Sequence, residues 1–168
     1  PGSDMSMFMS TPKTTYDFYP FAGIHRPVVL YAVPQTYIED VTVVTTIEPE
    51  AQVKVTVKLS AAVDGKGSVQ IKGDHTAIES DLAFANGVAE ATLTVPDAHL
   101  WSDKDPYLYD LTVASEDDSY SLKVGIRTIA VDGGKVLLNG QPVKLNGFGR
   151  HEDFIASGKG LNLPLVIK

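Results

Sequence analysis

The sequence predicts an all-β chain organised around an immunoglobulin-like β-sandwich, and three observations carry that prediction. From Tyr37 to Val131, apolar residues recur with a period of two, as half-buried antiparallel strands require. Clusters of Gly, Asn and Asp cut this pattern into about seven short runs, the spacing expected of a sandwich. No helical period occurs before Ile155.

Taken in order, residues 1–15 are small, polar and dotted with Met, without a period, and read as a loose linker. Residues 16–27 are dense in aromatic and charged groups, with Tyr16, Phe18, Tyr19 and Phe21 beside Asp17, His25 and Arg26. Pro20 and Pro27 keep this stretch out of regular helix. Residues 28–33 form a continuous apolar run closed by Pro34, which suggests a buried strand. Within the periodic region, Val53, Val55, Val57 and Leu59 alternate with Lys54, Thr56 and Lys58, and Tyr109, Leu111 and Val113 alternate with Asp110 and Thr112. Asn86-Gly87 is the sharpest turn signal and predicts a type I′ hairpin between the runs on either side. Trp101, the single Trp, is expected to plug one end of the sandwich beside Tyr107 and Tyr109. After the turn at Asp132-Gly133-Gly134, residues 135–138, Asn139-Gly140 and residues 141–146 read as strand, hairpin turn and buried strand. Pro164, followed by apolar residues, suits the first turn of a helix.

With 168 residues, 43% of them hydrophobic, the chain can bury a substantial core. The net charge of -7 and the lack of a basic run speak against nucleic acid or an anionic membrane surface as a partner. The absence of Cys excludes disulfides, thiolate metal sites and Cys nucleophiles, and leaves the compartment open. The apolar runs are too short to span a bilayer as a helix.

The densest chemistry lies in Gly147-Phe148-Gly149-Arg150-His151-Glu152-Asp153. His151 among Arg150, Glu152 and Asp153 could serve acid–base work, metal ligation or hydrogen bonding to a polar ligand. An Arg–carboxylate pair that merely fixes a loop is the structural alternative. A metal site is not expected, because His25, His75 and His99 are scattered rather than set at ligand spacing. No Ser lies in a Gly-x-Ser-x-Gly setting, and no dinucleotide or phosphate-loop pattern occurs, so no cofactor is expected.

Three segments give the chain a resemblance to glycoside hydrolase family 2, and within it to the β-glucuronidases. They are FAGIHRPVVLYAVP at residues 21–34, VGIRTIAV at 124–131, and LLNGQPVKLNGFGRHED at 137–153 followed by GKG at 158–160. The resemblance implies three regions: the end of a jelly-roll sugar-binding domain at 1–34, an immunoglobulin-like sandwich at 35–131, and the first strand and loop of a TIM barrel at 132–168. It also implies hydrolysis of O-glycosidic bonds with retention, in a longer polypeptide that is a homo-oligomer and acts on a β-glucuronide or related glycoside. Asp17 and His151 match positions that contact the glycone, with Arg150 and Glu152 holding His151 in place. Retaining hydrolysis needs two carboxyl groups about 5–5.5 Å apart across the scissile bond. In the family they lie late in the barrel, so Glu152 and Asp153 are not that pair and no catalytic residue is expected here. The resemblance extends, with less specificity, to β-galactosidases and β-mannosidases. Two readings of another class remain open: a stand-alone sandwich that binds carbohydrate or protein, and a sandwich that serves oligomer assembly.

Overall fold

The computed structural model describes Gly23, Ile24 and residues 28–149. Among these residues every regular element is a strand, and residues Ala32–Leu145 form one compact unit. The strands are β1 (Ile38–Thr46), β2 (Ala51–Leu59), β3 (Gly65–Lys72), β4 (Ala77–Phe84), β5 (Val88–Val95), β6 (Tyr109–Ala114) and β7 (Ser119–Val124), followed by β8 (Ile129–Asp132), β9 (Lys135–Leu138) and β10 (Gln141–Pro142).

Two antiparallel sheets build an immunoglobulin-like sandwich. One has the order β1-β2-β5 and the other β4-β3-β6-β7. The chain crosses between sheets after β2, β4 and β5, which is the Greek-key connectivity of such sandwiches. The period-two pattern sets the core. Val53, Val55 and Val57 of β2 face Val69 and Ile71 of β3 and Leu111 and Val113 of β6, and all seven are fully buried. β-Branched side chains suit these positions because their restricted χ1 already matches the pleated surface. Among the described residues no charged side chain is buried, and the one hydroxyl in the core, on Tyr109, accepts a hydrogen bond from His99 N–H at 2.8 Å. The outer faces carry cross-strand pairs instead, such as Lys54–Glu90 at 3.1 Å and Lys123–Asp110 at 2.6 Å. Thr56 and Lys54 both hydrogen-bond Glu90 and hold its carboxyl below the usual range.

One end of the sandwich is tied by short loops that grip each other. Asn86 and Gly87 both have positive φ, at 52° and 79°, as a type I′ turn demands. The turn is the one the sequence predicts, but the hairpin does not continue. Only the Ala85–Val88 bridge joins its arms, because β4 and β5 diverge into different sheets. What the turn holds instead is the β2–β3 crossover. Gly87 N–H donates to the Val63 carbonyl at 2.8 Å, Leu59 N–H donates to the Gly87 carbonyl at 2.8 Å, and Asn86 N–H donates to Asp64 Oδ1 at 2.8 Å. Asp118 closes the same end across the sheets, accepting from Ile38 N at 2.9 Å with Oδ2 and from Ser119 N at 2.8 Å with Oδ1.

Two sequence expectations fail here. Residues 28–33 are exposed and irregular, with Leu30 at 99% exposure, and no described strand pairs with them. An apolar run can form a strand only where a neighbour takes up its N–H and C=O groups. Residues 143–146 also lack strand structure beyond one bond, Val143 N to the Val136 carbonyl at 2.9 Å, and Leu145 is exposed. Residues 1–15 and the expected helix start at Pro164 lie outside the described residues.

Candidate functional site

The opposite end of the sandwich is the one from which the chain runs on towards Gly147-Phe148-Gly149. Here β7 stops at Val124, and Ile126 still seals the core with no exposure. The chain then leaves the sandwich, and β8, β9 and β10 form a separate three-stranded sheet of order β10-β9-β8. Its two turns, Gly133-Gly134 and Asn139-Gly140, both have positive φ at both residues.

Asn139 joins that small sheet to the sandwich. Its backbone N–H donates to the Thr128 carbonyl at 2.9 Å, its Oδ1 accepts from Thr128 N at 2.9 Å, and its Nδ2 donates to the Trp101 carbonyl at 3.0 Å. Trp101 in turn is fixed from several sides. Its N–H donates to the Ile126 carbonyl at 2.9 Å, its side chain lies against Gly125, and the Arg127 guanidinium sits 4.7 Å above the ring. A Cβ on Gly125 would come within 2.8 Å of the indole, so the close approach requires glycine. Thr45 ties in β1, donating from Oγ1 to the Arg127 carbonyl at 2.6 Å. Trp101 is half-buried and does not join the sandwich core as expected; it lies against Gly125 and under Arg127. Tyr107 and Tyr109 belong to a different cluster.

That cluster is built on His99. The ring stacks on Tyr107 at 4.3 Å and nearly parallel, and Tyr107 meets Tyr109 edge-on at 4.9 Å. His99 Nε2 lies 2.6 Å from Asp105 Oδ2, and His99 N–H donates to Tyr109 Oη at 2.8 Å. Burial raises the Tyr109 hydroxyl above its usual range, and this backbone donor partly offsets the shift. Tyr107 Oη accepts from Asp74 N at 2.8 Å and so ties the cluster to the β3–β4 turn. Ser102 Oγ accepts from Asp105 N–H at 3.0 Å, which holds Asp105 in the same loop. The role of the His–Asp pair here is to pin the β5–β6 crossover.

Asn139→Ala is expected to cost about 2 kcal/mol, since it frees the Thr128 N–H and the Trp101 carbonyl together. Amide exchange at residues 135–143 should speed up far more than at β2 or β6, because the β8–β10 sheet has few other attachments. Equal acceleration in both regions would show that Asn139 does not act locally.

The sequence-predicted site residues Asp17, Arg150, His151 and Glu152 lie outside the described residues. Residues 146–149, which lead to Arg150, are described as exposed coil. Among the described residues no group of three or more His, Asp or Glu side chains is placed to hold a metal ion. The roles of Asn139, Thr45 and Asp118 escaped the sequence reading, because each works through partners far away in the chain.

The family model described as Glycosyl hydrolases family 2 matches residues 36–127, which run from just before β1 to just after β7. The chain belongs to this family. A β-glucuronidase from Mus musculus is 39% identical over 180 residues, covering 99% of this chain and 27% of the relative. Among solved structures, a β-glucuronidase from an uncultured Clostridium species superposes with a TM-score of 0.75 at 36% identity, over 91% of this chain and 26% of that one. A Ruminococcus gnavus β-glucuronidase gives a TM-score of 0.68 at 31% identity, over 80% and 22%. The family 2 chain therefore spans about a quarter of the length of the relatives it matches.

Proposed function

We propose that these residues are the central portion of a retaining β-glucuronidase-like exo-glycosidase, which cleaves O-glycosidic bonds of β-glucuronides. In this reading residues 1–34 end a jelly-roll sugar-binding domain, 35–131 are the immunoglobulin-like domain, and 132–168 open a (β/α) barrel. The observation that supports it most is identity to β-glucuronidases across nearly the whole chain, well outside the 36–127 match that defines the family. The chain supplies scaffold and glycone contacts. Asp17 accepts hydrogen bonds from sugar hydroxyls, and His151 lines the sugar subsite at the C-terminal end of a barrel strand, where such sites are built. Arg150 and Glu152 orient the His151 ring, which fixes the nitrogen presented to the sugar. The two carboxylates that perform the displacement are not among these 168 residues. The longer enzyme is a homo-oligomer in this proposal.

Calorimetric titration of glucuronate into the chain tests the contact residues. The expected result is weak, millimolar binding that falls at least about tenfold on Asp17→Ala and on His151→Ala. Binding that both variants leave intact would remove the glycone-contact role. A second reading is favoured by one observation: Ala32–Leu145 forms a compact unit with its own core. On that reading the sandwich acts as a stand-alone binding module, and saturable binding of a partner to residues 32–145 alone would support it.

A further inference from the structure

The outer face of the four-stranded sheet β4-β3-β6-β7 carries a pattern that is complementary to itself. The ladders set its side chains in three rows across the strands. In the first row Lys72 opposes Asp110, which pairs with Lys123 at 2.6 Å, and Ala77 ends the row on β4. In the second, Gln70 Nε2 donates to Glu79 Oε2 at 3.3 Å, and the Thr112 and Ser121 hydroxyls lie 2.9 Å apart. The third sets Asp81 in line with three small residues, Ser68, Ala114 and Ser119. With Lys66 of β3 included, lysines and carboxylates on this face are equal in number, whereas the whole chain carries -7. Two copies of an acidic chain repel least where a neutral face meets its like.

We propose that this face is an interface between two copies of the chain, packed sheet on sheet about a two-fold axis parallel to the strands and midway between β3 and β6. Facing sheets align within about 30° and lie about 10 Å apart, so each row of one copy covers the same row of the other. The axis sets β3 over the partner's β6 and β4 over the partner's β7. Lys72 then meets the partner's Asp110, Gln70 meets the partner's Thr112, and Ser68 meets the partner's Ala114. Glu79 and Asp81 meet the partner's Ser121 and the partner's Ser119, whose hydroxyls can donate to them. Each contact occurs twice, and within the three rows none joins like charges. An axis perpendicular to the strands through the second row would instead set Glu79 against its own copy.

The three-stranded sheet β1-β2-β5 lacks this property. An axis along its central strand β2 sets Lys54 and Lys58 against their own copies. Both are also paired already within the chain, to Glu90 at 3.1 Å and to Glu39 at 2.6 Å. The interface is small. Four strands about 4.8 Å apart, with about six residues each at about 3.4 Å per residue, cover on the order of 400 Å², about half the usual share of one partner. The dimer is therefore weak, with a Kd on the order of 0.1 mM. It does not depend on the reaction proposed above.

The test is sedimentation equilibrium of the 168-residue chain at concentrations up to about 1 mM, where a reversible monomer–dimer equilibrium is expected. Lys72→Asp and Asp110→Lys each bring like charges together at two symmetry-related contacts, and each should weaken the dimer at least about tenfold. Mixing these two variants should restore association to within about threefold of the parent chain, because one presents carboxylates where the other presents ammonium groups. That recovery separates a lost interface from a lost fold, and circular dichroism checks each variant alone. Thr42→Lys adds a charge to the outer face of the other sheet and should leave the Kd within about twofold. The inference is overturned if the chain stays monomeric at the highest concentration, if Lys72→Asp and Asp110→Lys each dimerise as the parent does, if their mixture stays monomeric, or if Thr42→Lys weakens the dimer equally.

Discussion

Replacing Gly87 by alanine is expected to destabilise the sandwich by about 3 kcal/mol, a large share of a small domain's total stability. Two costs combine. The residue sits at φ 79°, where a side chain is strained. A Cβ there would also collide with the Ala61 carbonyl oxygen and approach the Ala62 Cα to 3.2 Å. Both obstacles are backbone, so no side-chain rotation relieves them. Moving the turn away would sacrifice the bonds to Val63 and Leu59 that join the β4–β5 crossover to the β2–β3 crossover. Asn86→Gly provides the control. Its neighbouring φ of 52° suits glycine equally well, and the bond made by its main-chain N–H to Asp64 is retained, so the change should stay within about 0.5 kcal/mol. Urea denaturation of both variants measures the contrast. Equal stabilities would show that the two crossovers are not coupled through Gly87.

Leu111→Ala should cost about 4 kcal/mol, at the upper part of the range for buried leucines. Leu111 has no exposure and lies on the central strand β6, flanked by Ile71 of β3 and Leu122 of β7. Neighbours on both sides are held by ladder hydrogen bonds and cannot close in on the space left behind, so the cavity persists and its cost adds to the lost transfer free energy. The same change at Leu122, on the edge strand and partly exposed, should cost clearly less. Chemical denaturation with an unchanged m-value decides the matter. A Leu111→Ala loss no greater than that of Leu122→Ala would contradict the assignment of the core.

The strands of the sandwich were legible because burial on one face writes itself as alternation. Val53, Val55 and Val57 against Lys54, Thr56 and Lys58 could take only one orientation, and a one-residue slip would expose them all. The pattern does not say which sheet a strand joins. Asn86-Gly87 was a clear turn, yet its two arms part into different sheets, since a dipeptide fixes φ and not the partners beyond it. Residues 28–33 and 143–146 misled for a related reason: apolar composition marks surface suited to burial and does not provide the strand that buries it. At the candidate site, Asn139 was readable as a turn residue, but its bonds to Thr128 and Trp101 span 11 and 38 residues and leave no local trace. Trp101 reads from composition as a core plug but lies half-buried against Gly125 and Arg127, which offer no spacing signal that links them to it. His99 was passed over among scattered histidines, although its contacts with Asp105, Tyr107 and Tyr109 make it the centre of the β5–β6 crossover.

The central claim is that these residues carry scaffold and sugar contacts while the bond-cleaving carboxylates are elsewhere. It is tested most directly by incubating the purified, folded 168-residue chain with p-nitrophenyl β-D-glucuronide and following nitrophenolate release. The account predicts release no faster than in buffer, because Glu152 and Asp153 are neighbours in sequence and cannot stand as acid and nucleophile on opposite sides of the glycosidic bond. Saturable turnover that co-purifies with the chain and is lost on Glu152→Gln or Asp153→Asn would contradict it.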